Sequence, residues 1–281
     1  MTYVLIFILT AILSTHGMRF AQGRGCRMDW VGVWLYLTAS VSALGWVLGK
    51  SLPVTGTDAF FGSLAGLALG LTYLLFVGTI RRFGVGIAHL TRQLGLAIPI
   101  LASLFIWGES ELLTPLRALG LVLVFAALPL MSKPNALPHE RHRAGLWLLP
   151  VMLFACAGLA KVLFKAYGEL PGRGHTDSYL IFLCAGAGVL VLGRALGERR
   201  GFQRRDLLFG LLIGLDNALL NFSRVRAIES VAGTKVFPTM SLGVILLSLT
   251  LAAIIWKERF RGRVLVGMAL AVLALILVNW K

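Results

Sequence analysis

Residues 178–196 read SYLIFLCAGAGVLVLGRAL, an apolar block with a single charged side chain, Arg194. An α-helix rises about 1.5 Å per residue, so about 20 residues cross a hydrocarbon core of about 30 Å. Similar blocks recur along the chain between short polar connections, and 58% of the residues are hydrophobic while 14% are charged. In soluble domains roughly a quarter of the residues are charged. The pattern therefore predicts an all-α membrane protein.

The apolar blocks predict ten transmembrane helices. They lie near residues 2–18, 31–49, 59–80, 84–107, 113–131, 146–167, 178–196, 206–223, 232–256 and 264–280. The first block has neither a basic segment before it nor a small-residue cleavage site after it, as a signal peptide would. We therefore expect it to remain as the first membrane helix.

The longest polar stretch, residues 132–144, lies between the fifth and sixth blocks. It divides the chain into a first five-helix repeat, 1–132, a basic inter-repeat linker, 133–144, and a second five-helix repeat, 145–281. Five is an odd number, so two such halves joined by a short linker cross the membrane in opposite directions. The sequence thus predicts two inverted five-helix repeats, an arrangement found in many secondary transporters.

Two short patterns occur in both halves in the same order. The third block contains GLALGLTY at Gly66–Tyr73 and the eighth contains GLLIGLDN at Gly210–Asn217. The fourth block ends in IWGE at Ile106–Glu109 and the ninth in IWKE at Ile255–Glu258. Glycines at this spacing let helix backbones approach closely in lipid, so packing explains them individually. Their recurrence at equivalent positions indicates duplication.

The formal net charge of +15 comes from Lys and Arg side chains that lie mainly in the connections. More of them flank the odd-numbered connections, which predicts that these loops are cytoplasmic and that both termini lie outside. No run of basic and aromatic residues forms a nucleic-acid platform, so no nucleic acid is expected as a partner. Cys26, Cys156 and Cys184 lack metal-site spacing, so we expect no disulfide, no metal and no cofactor.

The stretch from Val236–Pro238 through Trp256–Arg259 to Gly267, with its first-half counterpart from Ile98–Glu109 to Gly120, resembles the drug/metabolite transporter superfamily. Within it, the chain is most similar to the EamA-like ten-helix transporters. The resemblance implies a ten-helix bundle that works by alternating access through a central cavity between the repeats. Such transporters usually have cytoplasmic termini, contrary to the charge bias, so the absolute topology stays open.

The resemblance and the hydropathy together favour a secondary transporter that moves a small metabolite across the cell inner membrane. The expected partners are that small-molecule substrate, the lipid bilayer and a proton or a counter-substrate, with a monomer or a homodimer as the assembly. Two alternatives stay open, a flippase for a lipid-linked head group and a non-transport membrane scaffold or receptor. No catalytic constellation of an intramembrane enzyme is present in the sequence, so no enzyme activity is expected.

Polar and charged side chains inside the spans are the candidate site residues, because exposing them to lipid is costly and they usually face the bundle interior or a water-filled cavity. Arg92 and Lys161 form two fixed positive charges that would favour an anionic substrate. The alternative is that one of them pairs with Asp216 and only locks helices together. The full set of substrate-binding candidates is Tyr73, His89, Arg92, Gln93, Lys161, Asn217 and Asn221.

Asp216 is the one acidic residue clearly inside a predicted span, which makes it the candidate for proton coupling. Structural pairing is the competing interpretation. Lys165 and Lys235 lie nearer to helix ends, where we expect their side chains to reach the membrane interface. Glu109 and Glu258 end equivalent helices and are interpreted as polar markers of helix ends.

Overall fold

The computed structural model describes residues 2–83, 85–131, 148–171, 174–197, 201–255 and 262–280. Within these ranges only the backbone is described at residues 81, 85–87, 89, 110, 112 and 252. The predicted linker 133–144 and the IWKE motif after Ile255 lie outside the described residues. Every regular element in the described ranges is a helix, which confirms the all-α prediction.

The helices follow the predicted apolar blocks closely. They are α1 (Thr2–Gly23), α2 (Met28–Gly49), α3 (Gly56–Phe83), α4 (Val85–Leu94), α5 (Ala97–Phe105), a 3-10 helix (Glu109–Leu112), α6 (Pro115–Met131), α7 (Leu148–Glu169), α8 (Thr176–Gly197), α9 (Arg204–Ser230), α10 (Gly233–Ile255) and α11 (Gly262–Asn279). Among the described residues, eight helices are long and apolar enough to span a membrane: α1, α2, α3, α7, α8, α9, α10 and α11. The chain is thus a multi-pass membrane protein.

The prediction of one continuous helix over 84–107 is wrong, because the structure has two helices there, α4 and α5, interrupted at Gly95 and Leu96. Pro99 has no backbone N–H, so the carbonyl of Gly95 loses the donor that a continuous helix would supply. Gly95 also packs closely on α7, where a Cβ atom would come within 2.9 Å of the Phe154 carbonyl oxygen. The missing hydrogen bond and the close packing on α7 therefore account for the interruption of the helix at Gly95 and Leu96.

Helix α9 is longer than the apolar block that predicts it. The block ends at residue 223, but the helix continues to Ser230. Arg224 and Arg226, which were predicted to lie in a connection, are therefore helical residues. This correction matters for the functional site, because it carries an arginine side chain into the helix packing.

The described chain forms two compact units, and each takes residues from both predicted repeats. Unit 1 comprises Met1–Tyr73 and Leu163–Ser230, and unit 2 comprises Leu74–Val162 and Val231–Lys281. The units are defined by which residues pack together, whereas the repeats are defined by which segments of the sequence were duplicated. The repeat boundaries therefore stay a prediction.

Glycines set the closest helix packing in unit 1. On α3, a Cβ atom at Gly66 would collide with the Leu183 carbonyl oxygen of α8, and one at Gly70 would lie 2.9 Å from the Ala187 carbonyl oxygen. On α9, a Cβ atom at Gly214 would lie 2.7 Å from the Leu35 carbonyl oxygen of α2. The expectation that these glycines bring helix backbones together is confirmed.

In unit 2, a glycine on each of the helices α6 and α11 packs closely against the other helix. A Cβ atom at Gly120 of α6 would lie 2.9 Å from the backbone nitrogen of Val278 in α11. A Cβ atom at Gly267 of α11 would lie 2.9 Å from the backbone nitrogen of Met131 in α6. The two helices are therefore held at a separation that larger residues would not permit.

Candidate functional site

Arg224 belongs to a polar cluster on α9 in unit 1, which also contains Asn217 and Asn221. Its guanidinium carbon lies 5.3 Å from the ring centroid of Phe7 in α1 and 5.1 Å from that of Phe164 in α7. Its Nη1 donates a hydrogen bond of 2.9 Å to Oδ1 of Asn221. Aromatic rings attract a guanidinium through their quadrupole, more strongly where water is excluded. The arginine is therefore held inside the helix packing of unit 1.

The predicted candidates Asn217 and Asn221 continue this cluster along α9. Asn221 is buried, and its Nδ2 donates a hydrogen bond of 2.7 Å to Oδ1 of Asn217. Because Arg224 donates to Asn221 in turn, the three side chains form one directed chain of hydrogen bonds. Their role in substrate binding stays a prediction.

Asp216 lies in the same unit and directly precedes Asn217, the last acceptor of this chain of hydrogen bonds. The Ser14 hydroxyl of α1 donates a hydrogen bond of 2.5 Å to its Oδ2. The sequence did not suggest Ser14, because a serine in an apolar block usually bonds its own helix backbone. The carboxylate thus has a hydroxyl partner from another helix, and its pairing with Arg92 or Lys161 stays a prediction.

Tyr73, another predicted binding residue, has a structural partner in unit 1. Its hydroxyl donates a hydrogen bond of 2.7 Å to the carbonyl oxygen of Met28, and its ring packs edge-on against Tyr36. These contacts connect α3 to the start of α2. A binding role for Tyr73 stays a prediction.

Buried charges gather where α3 begins and α7 ends. The hydroxyl of Tyr167 donates a hydrogen bond of 2.8 Å to Oδ1 of Asp58, which is fully buried. Lys165 is only 2% exposed, and its Nζ lies 3.1 Å from Oε1 of Glu169. The ammonium of Lys165 thus pairs with a carboxylate one turn nearer to the end of α7, and the expected reach to the membrane interface stays a prediction.

In unit 2, the side chain of Lys161 reaches the backbone of Arg92 near the break between α4 and α5. The Nζ atom of Lys161 in α7 lies 3.5 Å from the backbone carbonyl oxygen of Arg92, in the last turn of α4. The Arg92 guanidinium carbon lies 4.7 Å from the ring centroid of Phe76. Cations are stabilised at the C-terminal end of a helix, where the carbonyl groups are unpaired. The structure therefore brings the Lys161 ammonium to the C-terminal end of α4, and a joint role of the two cations in binding stays a prediction.

The remaining predicted candidates of this region are His89 and Gln93. Gln93 lies next to Arg92 in α4, and its side chain is partly exposed. The backbone of His89 belongs to the same helix, but its side chain lies outside the described residues. Both stay predictions.

Glu109 has a structural role that the sequence did not indicate. It is buried, and its two carboxylate oxygens each accept a hydrogen bond of 2.8 Å, one from the backbone N–H of Gly233 and one from that of Thr234. These N–H groups begin α10, so the carboxylate caps that helix and interacts favourably with its dipole. The interpretation of Glu109 as a mere helix-end marker is incomplete, because its partner lies far away in the sequence.

The cysteines are free, and no set of three or more His, Cys, Asp or Glu side chains in the described ranges could hold a metal ion. Cys26 lies in the connection between α1 and α2. Burial, with a contribution from the nearby Asp206 carboxylate, raises the pKa of the Cys26 thiol. A raised pKa favours the protonated thiol at neutral pH, and the thiolate is the nucleophilic form of cysteine.

No family model matches this chain. A protein of Haemophilus influenzae, described as uncharacterized, is 27% identical over 197 residues, which cover 69% of this chain and 66% of that protein. The match thus spans just under two thirds of the relative's length. A solved crystal structure has a TM-score of 0.77 with this chain, at 16% identity, and covers 99% of this chain and 98% of its own. At that identity the likeness shows a common fold.

Proposed function

We propose that the protein is a secondary transporter of the EamA-like type that moves a small anionic metabolite across the cell inner membrane by alternating access. The observation that carries the proposal is the contact of the Lys161 ammonium with the backbone carbonyl oxygen of Arg92 at the interrupted helix of unit 2. A cation inside a span costs roughly 2.5–3.5 kcal/mol on insertion scales, so the presence of both residues in this region supports a functional role.

The chemistry of this place fits a carboxylate or phosphate group. A guanidinium offers two parallel N–H donors, and an ammonium adds a point charge that adapts to different oxygens. Interrupted membrane helices carry the binding sites of many secondary transporters, because the break frees backbone groups for a ligand. The break at Gly95 and Leu96 follows closely on the Arg92 carbonyl group that the Lys161 ammonium contacts.

Ten spans in two inverted repeats are part of the proposal. The two shorter apolar segments, 90–105 and Pro115–Met131, complete the count when added to the eight long helices. The glycine contacts support the repeats because they are reciprocal. In two five-helix repeats, the third span is equivalent to the eighth and the second to the seventh. The third predicted span packs on the seventh through Gly66, and the eighth packs on the second through Gly214, so the two contacts are equivalent.

Counterflow in proteoliposomes tests the proposal. Vesicles holding the purified full chain are loaded with unlabelled lactate, succinate, glutamate or glucose 6-phosphate and then diluted into the labelled form of the same compound. A carrier accumulates label transiently, whereas a scaffold or receptor does not. We expect accumulation with at least one anion, and a loss of at least tenfold in initial rate for Arg92→Ala and for Lys161→Ala.

The matched control is Arg82→Ala, which removes an exposed cation of unit 2 and should keep the rate within twofold. Counterflow that persists in both Arg92→Ala and Lys161→Ala would refute the anion site while keeping the carrier. If no anion exchanges and a fluorescent lipid changes leaflet instead, the protein is a flippase and the proposal is wrong.

A further inference from the structure

Four arginines gather at one end of unit 1, where α1 ends and where α2 and α9 begin. Arg24 and Arg27 belong to the connection between α1 and α2, and Arg204 and Arg205 are the first two residues of α9. These three helices are long and apolar enough to span a membrane, so their ends lie near the level of the lipid head groups. We call the four side chains the arginine patch.

Tertiary contacts hold the two segments of the arginine patch together. The backbone N–H of Arg27 donates a hydrogen bond of 2.9 Å to Oδ1 of Asp206, which directly follows Arg205. Burial and the Asp206 carboxylate raise the pKa of the Cys26 thiol, which lies between the segments. The guanidiniums of Arg205 and Arg24 both oppose this rise electrostatically. One thiol thus interacts with a cation from each segment.

Three guanidiniums of the patch are accessible to a ligand. The side chains of Arg24, Arg204 and Arg205 are exposed, and none of them forms an ion pair with a carboxylate of the described part of the chain. The Arg27 guanidinium instead donates a hydrogen bond to the carbonyl oxygen of Gly201. This bond fixes the connection against the start of α9, so the exposed arginines are presented from a held backbone.

The carboxylates near the patch are buried and leave an excess of positive charge. Asp206 is fully buried, and its two oxygens accept hydrogen bonds of 2.9 Å from the backbone N–H groups of Arg27 and Gln203. Asp29, in the first turn of α2, is also buried. Within the described segments at this end, four arginines therefore stand against two carboxylates. The exposed surface is positive and complements an anion.

An exposed aromatic side chain borders the patch. Phe202 is 49% exposed, and its ring centroid lies 5.7 Å from that of Trp30 and 5.3 Å from that of Trp34, both in α2. Aromatic residues are enriched at the interface between membrane and water, and cations near that interface attract anionic lipids. Positive charge beside such aromatic residues favours a lipid as the ligand over a soluble acidic protein.

We propose that the arginine patch binds the head group of an anionic phospholipid. The exposed guanidiniums donate to the phosphodiester oxygens, for which a planar pair of N–H donors is well suited. A choline lipid carries the same phosphodiester, but its quaternary ammonium would lie among the arginines and be repelled. The patch therefore selects lipids by net charge. The inference concerns a lipid on the surface of unit 1 and holds whether or not the protein is a transporter.

Native mass spectrometry of the purified full chain in detergent measures the binding of single lipids. The probes are phosphatidylglycerol and phosphatidylcholine with identical acyl chains, and we expect the first to bind at least tenfold more tightly. Each cation near a membrane surface contributes to the attraction, so the double variant Arg204→Gln and Arg205→Gln should weaken phosphatidylglycerol binding about tenfold. It should leave phosphatidylcholine binding within twofold. Arg24→Gln, on the other segment, should weaken phosphatidylglycerol binding about threefold.

The matched control is the double variant Arg81→Gln and Arg82→Gln, which neutralises another adjacent pair of arginines, near the end of α3. It should keep phosphatidylglycerol binding within twofold. Equal affinity of the parent for the two lipids overturns the proposal. Affinity for phosphatidylglycerol that is unchanged in Arg24→Gln, or no lower in the Arg204 and Arg205 variant than in the control, also overturns it. So does displacement of the lipid by soluble glycerol phosphate, because the patch would then be a site for a free anion.

Discussion

Removing the carboxylate of Glu109 should destabilise the protein more than removing any nearby acidic side chain. In the structure this carboxylate accepts hydrogen bonds from the backbone N–H groups of Gly233 and Thr234, both at 2.8 Å. Glu109→Ala leaves these two donors buried without their acceptor. Each buried donor that loses its partner costs about 1–3 kcal/mol, so we expect a loss of about 3 kcal/mol in the free energy of unfolding.

Glu109→Gln should cost less, because the amide keeps one acceptor oxygen and loses the charge. The interaction between a charge and a helix dipole contributes about 0.3–1 kcal/mol at exposed sites and up to about 2 kcal/mol in partly buried ones. We therefore expect a loss of about 1–2 kcal/mol for this variant. The order of stability should be parent, Gln variant, Ala variant.

The assay is unfolding in mixed micelles, followed by circular dichroism as the SDS fraction rises. The control is Glu111→Ala, because Glu111 lies in the same 3-10 helix and is exposed. Exposed substitutions of this kind usually change stability by less than about 0.5 kcal/mol. A Glu109→Ala variant as stable as the Glu111→Ala variant would refute the view that this carboxylate holds the start of α10.

Two more predictions follow from the helix contacts. Gly66→Ala places a Cβ atom against the Leu183 carbonyl oxygen and should lower the free energy of unfolding by about 1–3 kcal/mol. The control Gly45→Ala adds a Cβ atom that meets nothing within 4 Å and should raise it by about 0.5–1 kcal/mol. The same unfolding assay compares the two variants. If Asp216 couples transport to protons, Asp216→Asn should abolish stimulation by a pH gradient and keep counterflow at equal pH, and a variant that responds to the gradient as the parent does would remove that role.

Hydropathy predicted most of the fold because span length follows directly from the thickness of the bilayer. It failed at Gly95, where Pro99 and close packing on α7 interrupt an otherwise apolar block. It also ended α9 too early, because the residues after 223 are polar and resemble a connection. The helix nevertheless continues, since Asn221 and two aromatic rings give Arg224 partners inside the packing.

The candidate site was predicted only where a charge stands out against apolar neighbours. Arg92 and Lys161 meet that condition, and the structure brings the Lys161 ammonium to the backbone of Arg92. Arg224 does not, although its four-and-three spacing from Asn217 and Asn221 was a usable signal. Glu109 and Ser14 could not be recognised, because their partners, Gly233 and Asp216, lie more than a hundred residues away in the chain. Such contacts depend on tertiary packing, which local patterns do not encode.

The composition of unit 1 has a consequence for how the protein is made. Its first part ends at Tyr73 and its second begins at Leu163, so about 90 residues are synthesised between them. At about 5–20 residues per second, the early helices reside in the bilayer for roughly 5–18 s before their partners emerge from the ribosome. During that interval the glycine-lined face of α3 lacks its packing partner α8. Coexpression of two fragments divided between residues 132 and 144 should therefore reconstitute the protein, since the intact chain already assembles from segments that arrive separately.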